Sequence, residues 1–171
     1  MKSNVKSIVR VAIFAALYAV LTLAISPISF GAIQCRLAII MSFFCVGNRQ
    51  NSLGYILGTF IANIFSPLGI IDMAVGTLVS TIVATTAYKT KSEIAVFAAN
   101  VIAVPLLVGA EISCVYSIPF LTNALYIAIG TAISCIAGFA AAKIVKHNKK
   151  VYGIIMGEEN GNADKKNQKR L

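Results

Sequence analysis

Six apolar stretches, parted by short polar or proline-bearing turns, make up most of this sequence. They run near Ile8 to Ile25, Ile33 to Val46, Ser52 to Phe65, Ile70 to Tyr88, Glu93 to Tyr116 and Phe120 to Lys146. A helix needs about 20 apolar residues to cross a bilayer. The first and the last three stretches come near or reach that length. The second and third, at about 14 residues each, cross only with little tilt or with shielding from their neighbours. The pattern predicts an all-α polytopic integral membrane protein with six transmembrane helices. Residues 1–150 form its membrane domain, and residues 151–171 form a polar, Lys-rich cytoplasmic tail. The first stretch has no small-residue cleavage site after it and reads as a retained span.

Composition agrees. Of 171 residues, 58% are hydrophobic and 12% are charged, against roughly 25% charged in a typical soluble domain. A water-soluble chain of this length has too little interior to hide so much apolar surface. The formal net charge of +9 is not a nucleic-acid footprint, because the basic residues sit at the ends of apolar stretches. Lys2, Lys6 and Arg10 lead the first stretch, Arg49 parts the second from the third, and Lys89 and Lys91 part the fourth from the fifth. Lys143, Lys146, Lys149 and Lys150 close the sixth, and Lys165, Lys166, Lys169 and Arg170 lie in the tail. The three opposite turns, Ser26–Ala32, Ser66–Gly69 and Ser117–Pro119, hold no Lys or Arg, and each holds a proline. The positive-inside rule then predicts a multi-pass cell-membrane protein with both termini in the cytoplasm.

Small residues recur four apart in several stretches: Ala12/Ala16 and Ala15/Ala19, then Gly54/Gly58/Ala62, Gly76/Ser80/Ala84 and Gly130/Ser134/Gly138/Ala142. Such stripes let helix backbones approach closely in lipid. Most serve internal packing, and the pairs in the first stretch are open to a second role, as a face for another protein.

Ionisable groups within membrane depth are few. They are Arg36, Asp72 and Glu111, and such groups are expensive in a bilayer unless they face a cavity or each other. With alternating spans, Arg36, Asn63, Asp72, Glu111 and Asn123 all fall at the outer level, beneath the proline turns, and Gln34 lies beside them. Two readings are open. In one, these side chains line a polar pocket that opens outward. In the other, Arg36 pairs with an acid and the asparagines cap helices, with no ligand involved. Asn100 lies deeper and reads as an interhelical hydrogen bond. Pro105 sits inside the fifth stretch, where a kink is expected.

Other chemistry is excluded by what is missing. There is no G-x-x-x-x-G-K-[ST] for ATP and no H-E-x-x-H for a metal. His147, the one histidine, lies in the basic end, so no serine or cysteine has a histidine base. Cys35, Cys45, Cys114 and Cys135 form no C-x-x-C and read as buried packing residues. No enzymatic activity, cofactor or metal site is expected.

Several runs resemble the QueT-type queuosine-precursor transporters. Residues 28–36 (ISFGAIQCR) look like that family's first outer loop and second helix, and residues 61–72 (IANIFSPLGIID) are the most specific match. Asn100, residues 108–111 (VGAE) and residues 119–125 (PFLTNAL) add support. The resemblance spans residues 10–142. It implies the six-helix S-component fold of energy-coupling factor transporters, a class that binds a substrate and works with a transmembrane coupling protein and two ATPase subunits. The expected partners are these subunits, membrane lipid and a small deazaguanine-like substrate. Ala12, Ala15, Ala16 and Ala19 match the A-x-x-x-A surface that meets the coupling protein. The implied substrate-binding set is Arg36, Asn63, Asp72, Glu111, Asn123, Gln34 and Phe30. A carboxylate there accepts neighbouring N–H donors of a guanine-like edge, and Phe30 or Tyr116 stacks on the ring. Two positions depart from the family pattern: Ile39 and Thr131 stand where acids are expected. A different micronutrient as substrate, or a small oligomeric channel or secondary carrier, are the alternatives.

Overall fold

A computed structural model describes residues 2–25 and 36–157. Its elements are α1 (Lys2–Ala24), a 3-10 helix (Leu37–Cys45), α2 (Arg49–Asn63), α3 (Ile70–Thr90), α4 (Glu93–Tyr116), α5 (Phe120–His147) and α6 (Lys149–Met156). No strand occurs among the described residues. Among the described residues, four helices are long and apolar enough to cross a membrane, over Val5–Ala24, Ile70–Thr90, Glu93–Tyr116 and Phe120–His147. Large side chains such as Ile70, Ile94, Leu121, Ile136 and Ile144 stand more than half exposed around them. That much open apolar surface is a liability in water and a fitting surface for lipid.

The second stretch differs from expectation in kind. It is a 3-10 helix, and six of its side chains, Ala38, Ile39, Met41, Ser42, Phe43 and Cys45, are buried. A helix buried on nearly every side belongs to a core. A 3-10 helix rises about 2.0 Å per residue against 1.5 Å for an α-helix. A short segment therefore reaches about a third further through the protein than α-helical geometry allows.

The small residues set the close approaches. A Cβ added at Gly58 would lie 2.8 Å from the Ala15 carbonyl oxygen and 3.0 Å from its Cα. One added at Gly54 would lie 2.9 Å from the Val11 carbonyl oxygen. Thus α1 rests directly on the glycine face of α2. Gly138 of α5 likewise admits the Phe43 ring and the backbone of Ile40, which seats the 3-10 helix against α5. Asn100 of α4 donates to the Ser42 hydroxyl at 3.1 Å, the interhelical bond expected of it. The helix α4 continues through Pro105.

Two expectations are revised. Cys45 and Cys135 are buried, but Cys114 is exposed near the C-terminal end of α4, because it falls on a side of that helix that no neighbouring helix covers. The boundary drawn at residue 150 falls inside a helix, since α6 runs from Lys149 to Met156. Asn148 caps its start by accepting from the Val151 amide, and Gly157 ends it at φ +73°, a conformation that favours glycine. The carbonyls of its last turn are orphaned by helix geometry and are taken up by three side chains. Asn48 donates to Met156 O at 3.0 Å, Asn51 donates to Ile155 O at 3.3 Å, and Arg10 also donates to Ile155 O. Cys35 and the remainder of the tail from residue 158 lie outside the described residues.

Candidate functional site: a buried polar cluster at one end of the bundle

Five of the seven expected binding residues lie among the described residues, and chain geometry brings them to one end of the helices. Arg36 immediately precedes the 3-10 helix, Asn63 ends α2, Asp72 opens α3, Glu111 lies in the last turns of α4, and Asn123 lies in the first turn of α5. The turn between α2 and α3 makes part of this possible. Ser66 N–H donates to Asn63 O and Gly69 N–H to Ser66 O, and the Ser66 hydroxyl accepts from Leu68 N–H. Gly69, at φ +58°, completes the reversal in a region that side chains disfavour. Residues nine apart in sequence thereby meet.

Arg36 Nη2 donates to Asn63 Oδ1 at 3.1 Å. The same nitrogen stands 3.9 Å from Asp72 Oδ2, which is an ion pair without a hydrogen bond. Asn63 Nδ2 donates to the main-chain oxygen of Asp72 at 2.9 Å. Asn63 is fully buried and Asp72 is 1% exposed. Gly76 makes room for this arrangement, because a Cβ there would stand 2.0 Å from Asn63 Nδ2. The position of Asp72 in the first turn of α3 places its charge at the positive end of the helix dipole.

Glu111 is 6% exposed and lies within electrostatic reach of Asp72 and Arg36. Both of its carboxylate oxygens, and both of those of Asp72, are buried with no hydrogen-bond partner among the described residues. Buried acceptor oxygens without a hydrogen bond are costly, each worth about 1–3 kcal/mol or more when charged, and only Asp72 Oδ2 has the Arg36 ion pair as partial compensation. Asn123 is committed differently: its amide donates to Gly109 O at 3.0 Å and to Ser113 Oγ at 3.3 Å, tying α5 to α4. Gln34 and Phe30 lie outside the described residues. Tyr116 is 58% exposed and does not line the cluster.

Below the cluster is a cavity of about 20 Å³, room for a water or two. Arg36, Ile39 and Gly76 line it on one side, and Tyr18, Tyr55, Thr59 and Ser80 supply further polar groups. The two tyrosine rings meet edge to face with centroids 5.0 Å apart. None of these four was expected from the sequence as a site residue, although Ser80 stood out as part of a small-residue stripe. Tyr18 and Tyr55 were the visible signal, as two phenols in the middle of otherwise apolar runs. Small-molecule pockets ordinarily reach about 300 Å³ or more, so this cavity by itself is smaller than a ligand pocket. Ile39 forms part of the cavity wall, and Thr131 is fully buried, its hydroxyl without a hydrogen-bond partner among the described residues.

On α1 the two alanine pairs part company. Ala15 is 2% exposed and Ala19 7%, with Ala15 pressed against Gly58. Ala12 and Ala16 are exposed. Of the expected partner face, the first pair packs inside the chain and the second lies open.

These observations define a class: an all-helical membrane protein that holds ionisable side chains, without full compensation, inside its transmembrane core. Residues 8–147 match the protein family described as QueT transporter. The chain belongs to that family, and it is a transporter rather than an enzyme. No characterised protein and no solved structure matches it.

Proposed function

We propose that the chain is the substrate-binding S component of an energy-coupling factor transporter. It takes up a deazaguanine-type queuosine precursor from outside the cell, and partner ATPases supply the energy. The observation that supports the substrate reading is that the four carboxylate oxygens of Asp72 and Glu111 are buried without a hydrogen-bond donor among the described residues. A ligand edge with adjacent N–H donors, or an aminomethyl cation, satisfies them together. Membrane proteins retain such groups where they face a pathway or a ligand. Arg36 and Asn63 hold Asp72 in place, and Arg36 offsets part of its charge. In this reading Gln34 and Phe30 also contact the substrate, and Asn123 holds α4 and α5 together beside the acids.

In this reading the chain crosses the membrane six times, with the 3-10 helix and α2 as the two short crossings. Both termini are cytoplasmic, which puts every loop lysine and arginine on one side. Ala12 and Ala16 meet the transmembrane coupling protein, whose two ATPase partners hydrolyse the ATP that this chain has no motif to bind.

The test is thermal stabilisation of the purified protein by a panel of deazaguanines and unrelated vitamins. A ligand bound by the folded state alone raises the melting temperature with its saturation. Stabilisation by deazaguanines is expected. Stabilisation by a vitamin alone would replace the substrate and leave the transporter class standing.

A further inference from the structure

A groove of about 680 Å³ runs along α1, on a different side of the bundle core from the polar cluster. Its wall follows α1 from Val5 to Leu21, about 24 Å at 1.5 Å per residue. That path lies along the helix, in the direction in which acyl chains run. The 3-10 helix forms the opposite wall through Met41 and Phe44, and α6 closes one end through Ile154 and Ile155. The polar lining residues are Lys6, Arg10 and Asn51, and all three lie at the α6 end. Arg10 and Asn51 are joined by a 3.0 Å hydrogen bond, and both hold the last carbonyls of α6. Lys6 is exposed and makes no hydrogen bond or ion pair among the described residues.

We propose that this groove is a binding site for one anionic phospholipid, with an acyl chain along α1 and the headgroup phosphate at Lys6. The argument is charge complementarity joined to shape. A long apolar channel with positive charge at a single end has the anatomy of an anionic lipid, and Lys6 lies near the start of the span at headgroup level. The short helix α6, docked by Asn48, Asn51 and Arg10, supplies the wall that turns an ordinary lipid-facing side of α1 into a groove. Neither Ala12 nor Ala16 lines this groove, although both neighbour its Val5–Val9 edge on α1, and the proposal does not depend on the identity of the transported substrate.

The experiment is native mass spectrometry of the full chain in neutral detergent. It is titrated with phosphatidylglycerol or with phosphatidylcholine of the same acyl chains. One phosphatidylglycerol per chain is expected to be retained in preference to phosphatidylcholine. Lys6→Gln, a surface change that leaves the core untouched, should weaken phosphatidylglycerol about fivefold, the equivalent of about 1 kcal/mol per basic residue at a membrane surface. It should leave phosphatidylcholine unchanged. Ile13→Trp should fill the groove and reduce retention of both lipids. Equal retention of the two lipids by the unaltered chain, or phosphatidylglycerol binding that Lys6→Gln does not change, overturns the proposal. Either result would mean that the groove is ordinary lipid-facing surface or the seat of a protein segment.

Discussion

Arg36 and Asn63 are joined by a 3.1 Å hydrogen bond that links the start of the 3-10 helix to the end of α2. Asn63 passes the connection on to α3 through the main-chain oxygen of Asp72. Three elements are thus locked at the level where two carboxylates have no hydrogen-bond donor among the described residues. The arrangement fixes where Asp72 stands.

Glu111 is the sharpest place to separate binding from stability. Its carboxylate makes no hydrogen bond among the described residues, so Glu111→Gln removes a charge and breaks no bond. We predict a melting temperature equal to or above that of the unaltered protein, with deazaguanine stabilisation reduced at least tenfold in apparent affinity. Thermal unfolding with and without ligand measures both. Ligand affinity unchanged in Glu111→Gln would remove this residue from the site.

Asp72→Asn should behave differently. It weakens ligand binding too, but it leaves the guanidinium of Arg36, whose side chain is 13% exposed, without its ion-pair partner. Removing one member of a buried pair typically costs about 3–5 kcal/mol. The 3.9 Å separation argues for the lower end of that range. A lowered melting temperature in the absence of ligand, alongside normal melting in Glu111→Gln, is the expected contrast.

Gly76 tests whether the cluster acts as a unit. An alanine there meets Asn63 Nδ2 at 2.0 Å, and Asn63 has no free space to retreat into because it is fully buried. Gly76→Ala should cost about 1–3 kcal/mol of stability through overpacking and should also weaken ligand binding. Gly153, where an added Cβ meets nothing within 4 Å, is the control position and should tolerate alanine. Comparing the two variants by ligand titration and thermal unfolding checks the assignment.

The four long spans were readable in the sequence because each is a continuous apolar run whose ends carry turn residues or charge. The span Glu93 to Tyr116 has the same bounds in the structure. The 3-10 geometry of Leu37–Cys45 was not readable. A run apolar on nearly all sides gives no period by which 3.0 residues per turn differ from 3.6. Helix α6 was hidden for another reason. It opens on Lys149 and Lys150 and reads as tail, while its anchors, Arg10, Asn48 and Asn51, lie more than a hundred residues away in sequence. Within the site, depth alone picked out Arg36, Asn63 and Asp72, since rare polar groups in a membrane tend to meet. It did not separate Asn123, whose amide is committed to α4, from residues left with unmet bonds. Nor did spacing distinguish Ala15/Ala19 from Ala12/Ala16, because four-residue spacing says nothing about which side of α1 meets Gly58.

Ala16 gives a prediction on the partner side. Ala16 is exposed, so Ala16→Trp should leave melting temperature and ligand affinity unchanged while abolishing copurification with the coupling protein. Ala15→Trp, which collides with α2, should instead destabilise the free protein.

The most direct test of the account is uptake of a radiolabelled deazaguanine into vesicles that contain this chain with or without its coupling protein and ATPases. The account predicts accumulation only when all partners and ATP are present, and loss of accumulation in Glu111→Gln. Accumulation by this chain alone, without ATP, would contradict it and would make the protein a secondary carrier.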